Sequence, residues 1–140
     1  MKILLAVDGS KHTKKMLAYL TTHDELFSAA NEYTVFNAQA PLPPRARAAL
    51  GADIANDYYA EEAGKVLAPV TKFLARHGIE AQNVWKVGHA AEVITRHATA
   101  GKFDLLVMGS HGHGALGSLV MGSVTTKVMA SCEVPILLIR

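Results

Sequence analysis

Between Gly109 and Ser123 the chain reads GSHGHGALGSLVMGS, which gathers five of its eleven glycines into one loop. Glycine-rich backbone approaches a ligand closely and can turn its N–H groups toward an anion. Two phosphate-binding patterns overlap this loop. The pattern G-x-G-x-x-G fits Gly112, Gly114 and Gly117. A dinucleotide site, however, needs an acidic residue about 20 positions further on, at the end of a second strand. No acidic residue follows Glu133. The P-loop spacing fits Gly117 and Gly122, but Ser123 stands where the lysine belongs and Val124 where the hydroxyl belongs. Those two groups meet the β/γ-phosphates and Mg²⁺, so this is not a Walker motif.

A third spacing remains: Gly109, Gly112, then Gly122-Ser123. Gly109 closes an apolar run, where backbone can approach a ligand. Gly122 and Ser123 open a helix, whose free N–H groups and positive end attract anions. Ser123 either caps that helix or donates to a phosphate, and Thr125 and Thr126 add hydroxyls in its first turn. A floppy glycine lid is the plain alternative. His111 and His113 offer acid–base or metal-ligating nitrogens, with no third ligand near them in sequence. Asp8 ends the first apolar run. It either starts a turn or meets a ribose hydroxyl or a metal on the phosphates.

These residues need a frame. Ile3 to Val7 and Phe103 to Met108 are continuous apolar runs, as expected of strands covered on both faces. Tyr33–Ala38, Ile79–Val87 and Val134–Ile139 are the other strand candidates. Ser10 is an N-cap candidate for a helix carrying Met16, Leu17, Leu20 and then Leu26 or Phe27 at near-helical spacing. Ile54–Arg76 reads as a long helix with a kink or short break at Pro69. Residues 90–100 and 123–131 read as two more helices. Three prolines in Pro41–Pro44 predict a loop from Pro41 through Arg47, continuing to Ala52. Strands alternating with helices predict an α/β fold over residues 1–140: one doubly wound domain, with a five-stranded parallel sheet in the order 3-2-1-4-5 and helices on both faces. Ligands of such sheets sit beyond the carboxyl ends of the strands where the order reverses. Asp8 and the glycine loop then face one crevice.

Composition excludes other classes. Half the 140 residues are hydrophobic and the formal net charge is +2, with no basic run that would suggest a nucleic-acid partner. The opening MKILLAVDGS does not read as a signal peptide, and no apolar run reaches membrane-spanning length. The single cysteine, Cys132, forms no internal disulfide and reads as packing in a reducing cytoplasm.

The chain resembles the universal stress protein family over nearly its whole length. The resemblance rests on ILLAVDGS, on VGHAAEVI from residue 87, and on DLLVMGSHGHGALGSLVMGSVTTKVMASCEVPILLI. Gly109, Gly112, Gly122 and Ser123 match the family's G-x₂-G-x₉-G-[ST] signature, which marks its ATP-binding branch. The resemblance implies that Asp8 meets the nucleotide, that Ala6 and Val7 line base and ribose, and that Ala38 holds the adenine edge through its backbone. It also implies that Met108 precedes the first glycine contact and that Val124 and Thr125 contact phosphate. Asn37 stands where the family often has histidine. The implied ligand is ATP with Mg²⁺, or else ADP, AMP or cyclic AMP, held as a signal or switch. No catalytic residue is assigned. A slow ATP hydrolase or nucleotidyl-transfer enzyme is the alternative. A homodimer through the apolar edge strand Val134–Ile139 is expected.

Overall fold

The computed structural model describes residues 1–111 and 121–140. Strand β1 (Lys2–Ala6) leads into helix α1 (Lys11–Thr22), and β2 (Glu32–Gln39) into α2 (Pro44–Leu50) and α3 (Ala52–Arg76). Then follow β3 (Ala81–Val87), α4 (Ala90–Ala100), β4 (Leu105–Gly109), α5 (Ser123–Ser131) and β5 (Ile136–Ile139). All four strand pairings are parallel, and the sheet order is β3-β2-β1-β4-β5. The expected doubly wound architecture is therefore present.

Two cores flank the sheet. On one face Ile3, Leu5, Val35 and Val107 pack against Met16, Leu17 and Leu20 of α1 and Leu67, Val70 and Leu74 of α3. On the other, Leu4, Phe36, Leu106 and Met108 pack against Val93, Ile94 and Ala98 of α4 and Val128 of α5. Side chains alternate across a strand, so the continuous apolar run of β1 supplies both faces at once. Ala6 pairs with Met108 across the β1–β4 ladder, which sets the two strand tips side by side at the point where the order reverses.

The structure changes three local expectations. The proline-rich segment is not all loop: α2 begins at Pro44. Proline at the first helical position gives up an N–H that has no intrahelical partner anyway. Upstream, the Leu42 N–H donates to the Tyr59 hydroxyl at 2.8 Å, pinning the segment to α3. Helix α3 runs unbroken through Pro69, with Leu67, Val70 and Leu74 buried on either side of it. Finally, α1 ends at Thr22, before Leu26 and Phe27; of these two alternatives Phe27 fills the core and Leu26 stays exposed.

Candidate functional site

The turn after β1 is built from its own side chains. Gly9 has φ +79°, the left-handed conformation that favours glycine. Asp8 Oδ1 accepts from the Ser10 N–H at 2.9 Å and from the Thr13 hydroxyl at 3.1 Å. Thr13 Oγ1 in turn accepts from the Asp8 N–H at 3.2 Å. The Ser10 hydroxyl caps α1 by accepting from the His12 N–H. Asp8 is thus a half-buried carboxylate held in a fixed direction at the mouth of the sheet.

Beside it lies the tip of β4. A Cβ on Gly109 would sit 2.8 Å from the Cβ of His12, closer than packed carbons approach. In the free chain, then, glycine is needed there because the first turn of α1 presses against it. The Thr125 hydroxyl, buried in α5, donates to the Gly109 carbonyl at 3.1 Å. The Gly122 N–H donates to the Ser110 carbonyl at 2.8 Å. These two bonds dock the beginning of α5 against β4.

Helix α5 begins with Gly122 at its N-cap, and among the described residues no side chain caps it. Its first intrahelical bond runs from the Thr126 N–H to the Gly122 carbonyl. Ser123 and Val124 lie exposed in this first turn. A helix start without a capping side chain keeps its positive end available to an anion.

Ala6, Ala38 and Met108 share the sheet face that carries α4 and α5, all near the carboxyl ends of their strands. Ala6 and Ala38 are half-buried. Val7 is buried on the opposite face, and its N–H donates to the Phe36 carbonyl at 2.9 Å. The structure thus brings Ala6, Val7, Asp8, Met108, Gly109, Gly122, Ser123, Val124 and Thr125 to one end of the sheet, with Ala38 one strand away. Gly112 and His113 lie outside the described residues. The Thr125 hydroxyl is engaged with backbone, so its direct part here is to position α5. Among the described residues, no three His, Cys, Asp or Glu side chains gather as metal ligands.

Four polar residues at this end do not stand out as site residues in the sequence. Buried Asn37 donates from Nδ2 to the Val7 carbonyl at 2.9 Å, and Gln39 Nε2 donates to Asn37 Oδ1 at 2.6 Å. This chain ties the tips of β1 and β2 together. The signal was a lone amide inside an apolar strand, noted only as a departure from the family. Buried Ser110 sets its hydroxyl 2.9 Å from His111 Nδ1, while its N–H donates to the Ile139 carbonyl at 2.9 Å. Buried His12 stacks at a tilt against His111, with ring centroids 5.1 Å apart.

The universal stress protein family model matches residues 1–140. The chain belongs to the universal stress protein family. A universal stress protein of Thermus aquaticus is 35% identical over 144 residues, covering 99% of this chain and 97% of that protein. Universal stress protein Slr1230 of Synechocystis is 31% identical over 139 residues, covering 99% of this chain; the chain spans only 42% of that protein's length. Among solved structures, MJ0577 of Methanocaldococcus jannaschii superposes with a TM-score of 0.79 at 24% identity, covering 99% of this chain and 94% of the other. The Archaeoglobus fulgidus universal stress protein in complex with dAMP gives 0.68 at 19% identity, covering 100% and 98%. An Arabidopsis thaliana family protein with AMP bound gives 0.70 at 16% identity, covering 99% and 91%. At these identities the solved structures establish the shared fold. No helix among the described residues of this universal stress protein is long and apolar enough to cross a membrane.

Proposed function

We propose that this universal stress protein is a single nucleotide-binding domain that holds ATP with Mg²⁺ as a conformational signal in the cytoplasm. The observation that carries this reading is the start of α5, which no side chain among the described residues caps and which is docked on the tip of β4 by the Thr125 and Gly122 hydrogen bonds. Such a helix end favours phosphate through N–H donors and dipole together. Two relatives of the same fold, solved with dAMP and with AMP, support an adenylate as the ligand class.

In this reading the backbone from Gly109 to Gly112 and the turn Gly122-Ser123-Val124 receive the phosphates. The Ser123 hydroxyl donates to a phosphate oxygen. Asp8, oriented by Ser10 and Thr13, meets the ribose. The small side chains of Ala6 and Ala38 leave room at the strand ends for sugar and base, and the backbone of Ala38 recognises the adenine edge. Met108 and Val7 provide apolar walls. Bound Mg²⁺ would offset phosphate charge, and no residue is assigned to it. AMP, ADP and cyclic AMP fit the same donors with fewer phosphate contacts.

Two copies pair through β5. It is an edge strand whose Ile136, Leu137 and Leu138 remain only half-buried, and apolar edges of this kind invite another chain.

Slow hydrolysis or nucleotidyl transfer is the second reading, favoured by the imidazoles of His12 and His111 beside the same strand tip. Native mass spectrometry of protein purified without added nucleotide tests the first reading: a co-purified adenylate supports it, and a bare chain that also fails to take up added MgATP contradicts it. Steady phosphate release from ATP would favour the second.

A further inference from the structure

Two imidazoles meet at the tip of β4. His12 projects from the first turn of α1, where its Cβ fills the space that a side chain on Gly109 would need. His111 follows Ser110 directly, and the two rings lie 5.1 Å apart. His12 is more than nine-tenths buried, and among the described residues no hydrogen-bond partner reaches its Nδ1. Protonating that ring would bury an N–H with no acceptor among the described residues, next to a second imidazole.

The charged neighbours compound this. Lys11 and Lys15 on α1 add positive charge, and His111 adds more when protonated. Asp8, in the turn before the helix, is the one opposing charge in the set. Burial first, then His111, Lys15 and Lys11, hold the His12 pKa below the ordinary imidazole value. The ring is therefore neutral at pH 7 in the free chain.

We propose that the His12–His111 pair couples nucleotide occupancy to proton uptake, so that this protein holds its polyphosphate more tightly as the pH falls from 8 toward 6. The proposal rests on the nucleotide reading above. A polyphosphate at the start of α5 would lie against Gly109 and Ser110, the residues that carry or touch both imidazoles. Its negative charge opposes the burial and positive charge that lower the His12 pKa, and the proton taken up stabilises the bound state. By linkage, whatever raises the proton affinity of the pair on binding is itself bound more tightly when protons are plentiful. Lys11 and Lys15 lie on α1 and add positive charge beside the pair. The imidazole pair makes the attraction to the polyphosphate depend on pH.

The test follows the imidazole Cε1–H resonances of the seven histidines by NMR from pH 5 to 8.5, with and without saturating MgATP. His12→Gln assigns the His12 signal. The expected result is a His12 midpoint below the ordinary value in free protein that moves upward on binding. Affinity should correspondingly gain about threefold or more between pH 8 and pH 6 in wild type relative to His12→Gln, since one pKa unit is tenfold. The comparison with the variant cancels the titration of the nucleotide's own terminal phosphate. If MgATP shifts other resonances but leaves the His12 midpoint and the wild-type-to-variant ratio unchanged, the coupling is overturned while the nucleotide reading stands. If MgATP shifts nothing, both fall. Should His12→Gln not fold, the wild-type midpoints with and without MgATP decide alone, with His12 assigned through the backbone.

Discussion

The Thr125 hydroxyl donates to the Gly109 carbonyl at 3.1 Å, joining the first turn of the last helix to the tip of the strand where the sheet order reverses. Together with the Gly122 N–H to Ser110 carbonyl bond, it docks the start of α5 against β4. Thr125→Val keeps the shape and removes the donor. The cost should be about 1 kcal/mol, because a part-buried carbonyl loses this donor. Urea denaturation checks the loss, and nucleotide affinity should fall with it, because α5 is no longer held in place.

Gly109→Ala puts a methyl 2.8 Å from the His12 Cβ. Neither neighbour is a flexible tip, so α1 or β4 must shift. A destabilisation of about 1–3 kcal/mol is expected, as for overpacked cores. Thermal melting measures it. A melting point equal to wild type would mean that the two backbones can part without cost.

Stability should decline as the pH falls below about 6.5, the unfolded-state histidine value. His97, stacked on Phe36 at 4.9 Å, has its pKa lowered first by burial and then by Lys86 and Lys2. His12 is lowered as well. A histidine with a depressed folded pKa leaves the unfolded chain binding more protons in that window. Its neutral form therefore supports the fold fully above pH 6.5, and this support drains away below it. His97→Phe keeps the ring stack and should flatten the slope of melting temperature between pH 7.5 and 5.5. An unchanged slope would assign the pH dependence to other groups.

Much of this was legible along the chain. Helices 90–100 and 123–131 appear with the bounds expected, since apolar periodicity and glycine at the borders are local signals. The strand order could be anticipated because βα alternation leaves few topologies. Pro44 was not legible, because proline both breaks a helix interior and starts a helix, and only the packing of α2 on α3 selects the second role. The same limit applies at the site. Gly109 and Asp8 stand out in sequence, but the press of His12 on Gly109 and the tether from Asn37 to Val7 join residues far apart in the chain. No local pattern announces them. Thr125 showed a hydroxyl in the right turn, but not that the hydroxyl faces backbone.

Leu138→Lys tests the proposed pairing through β5. Leu138 is half-buried on an edge strand and packs beside Met108 and Ile136. A charge there should turn a dimer into a folded monomer or an aggregate in light scattering. Wild-type protein that remains monomeric at high micromolar concentration would rule out this dimer.

The central claim is that the start of α5 holds the phosphates of an adenine nucleotide. Titration calorimetry of MgATP into wild type and Gly122→Val tests it most directly. A branched side chain at that N-cap stands where phosphate approaches backbone. The expected result is one nucleotide per chain in wild type and an affinity at least tenfold lower in the variant, about 1.4 kcal/mol or more, with its circular dichroism spectrum unchanged. Equal affinity in the two proteins, or no binding in either, would contradict the account.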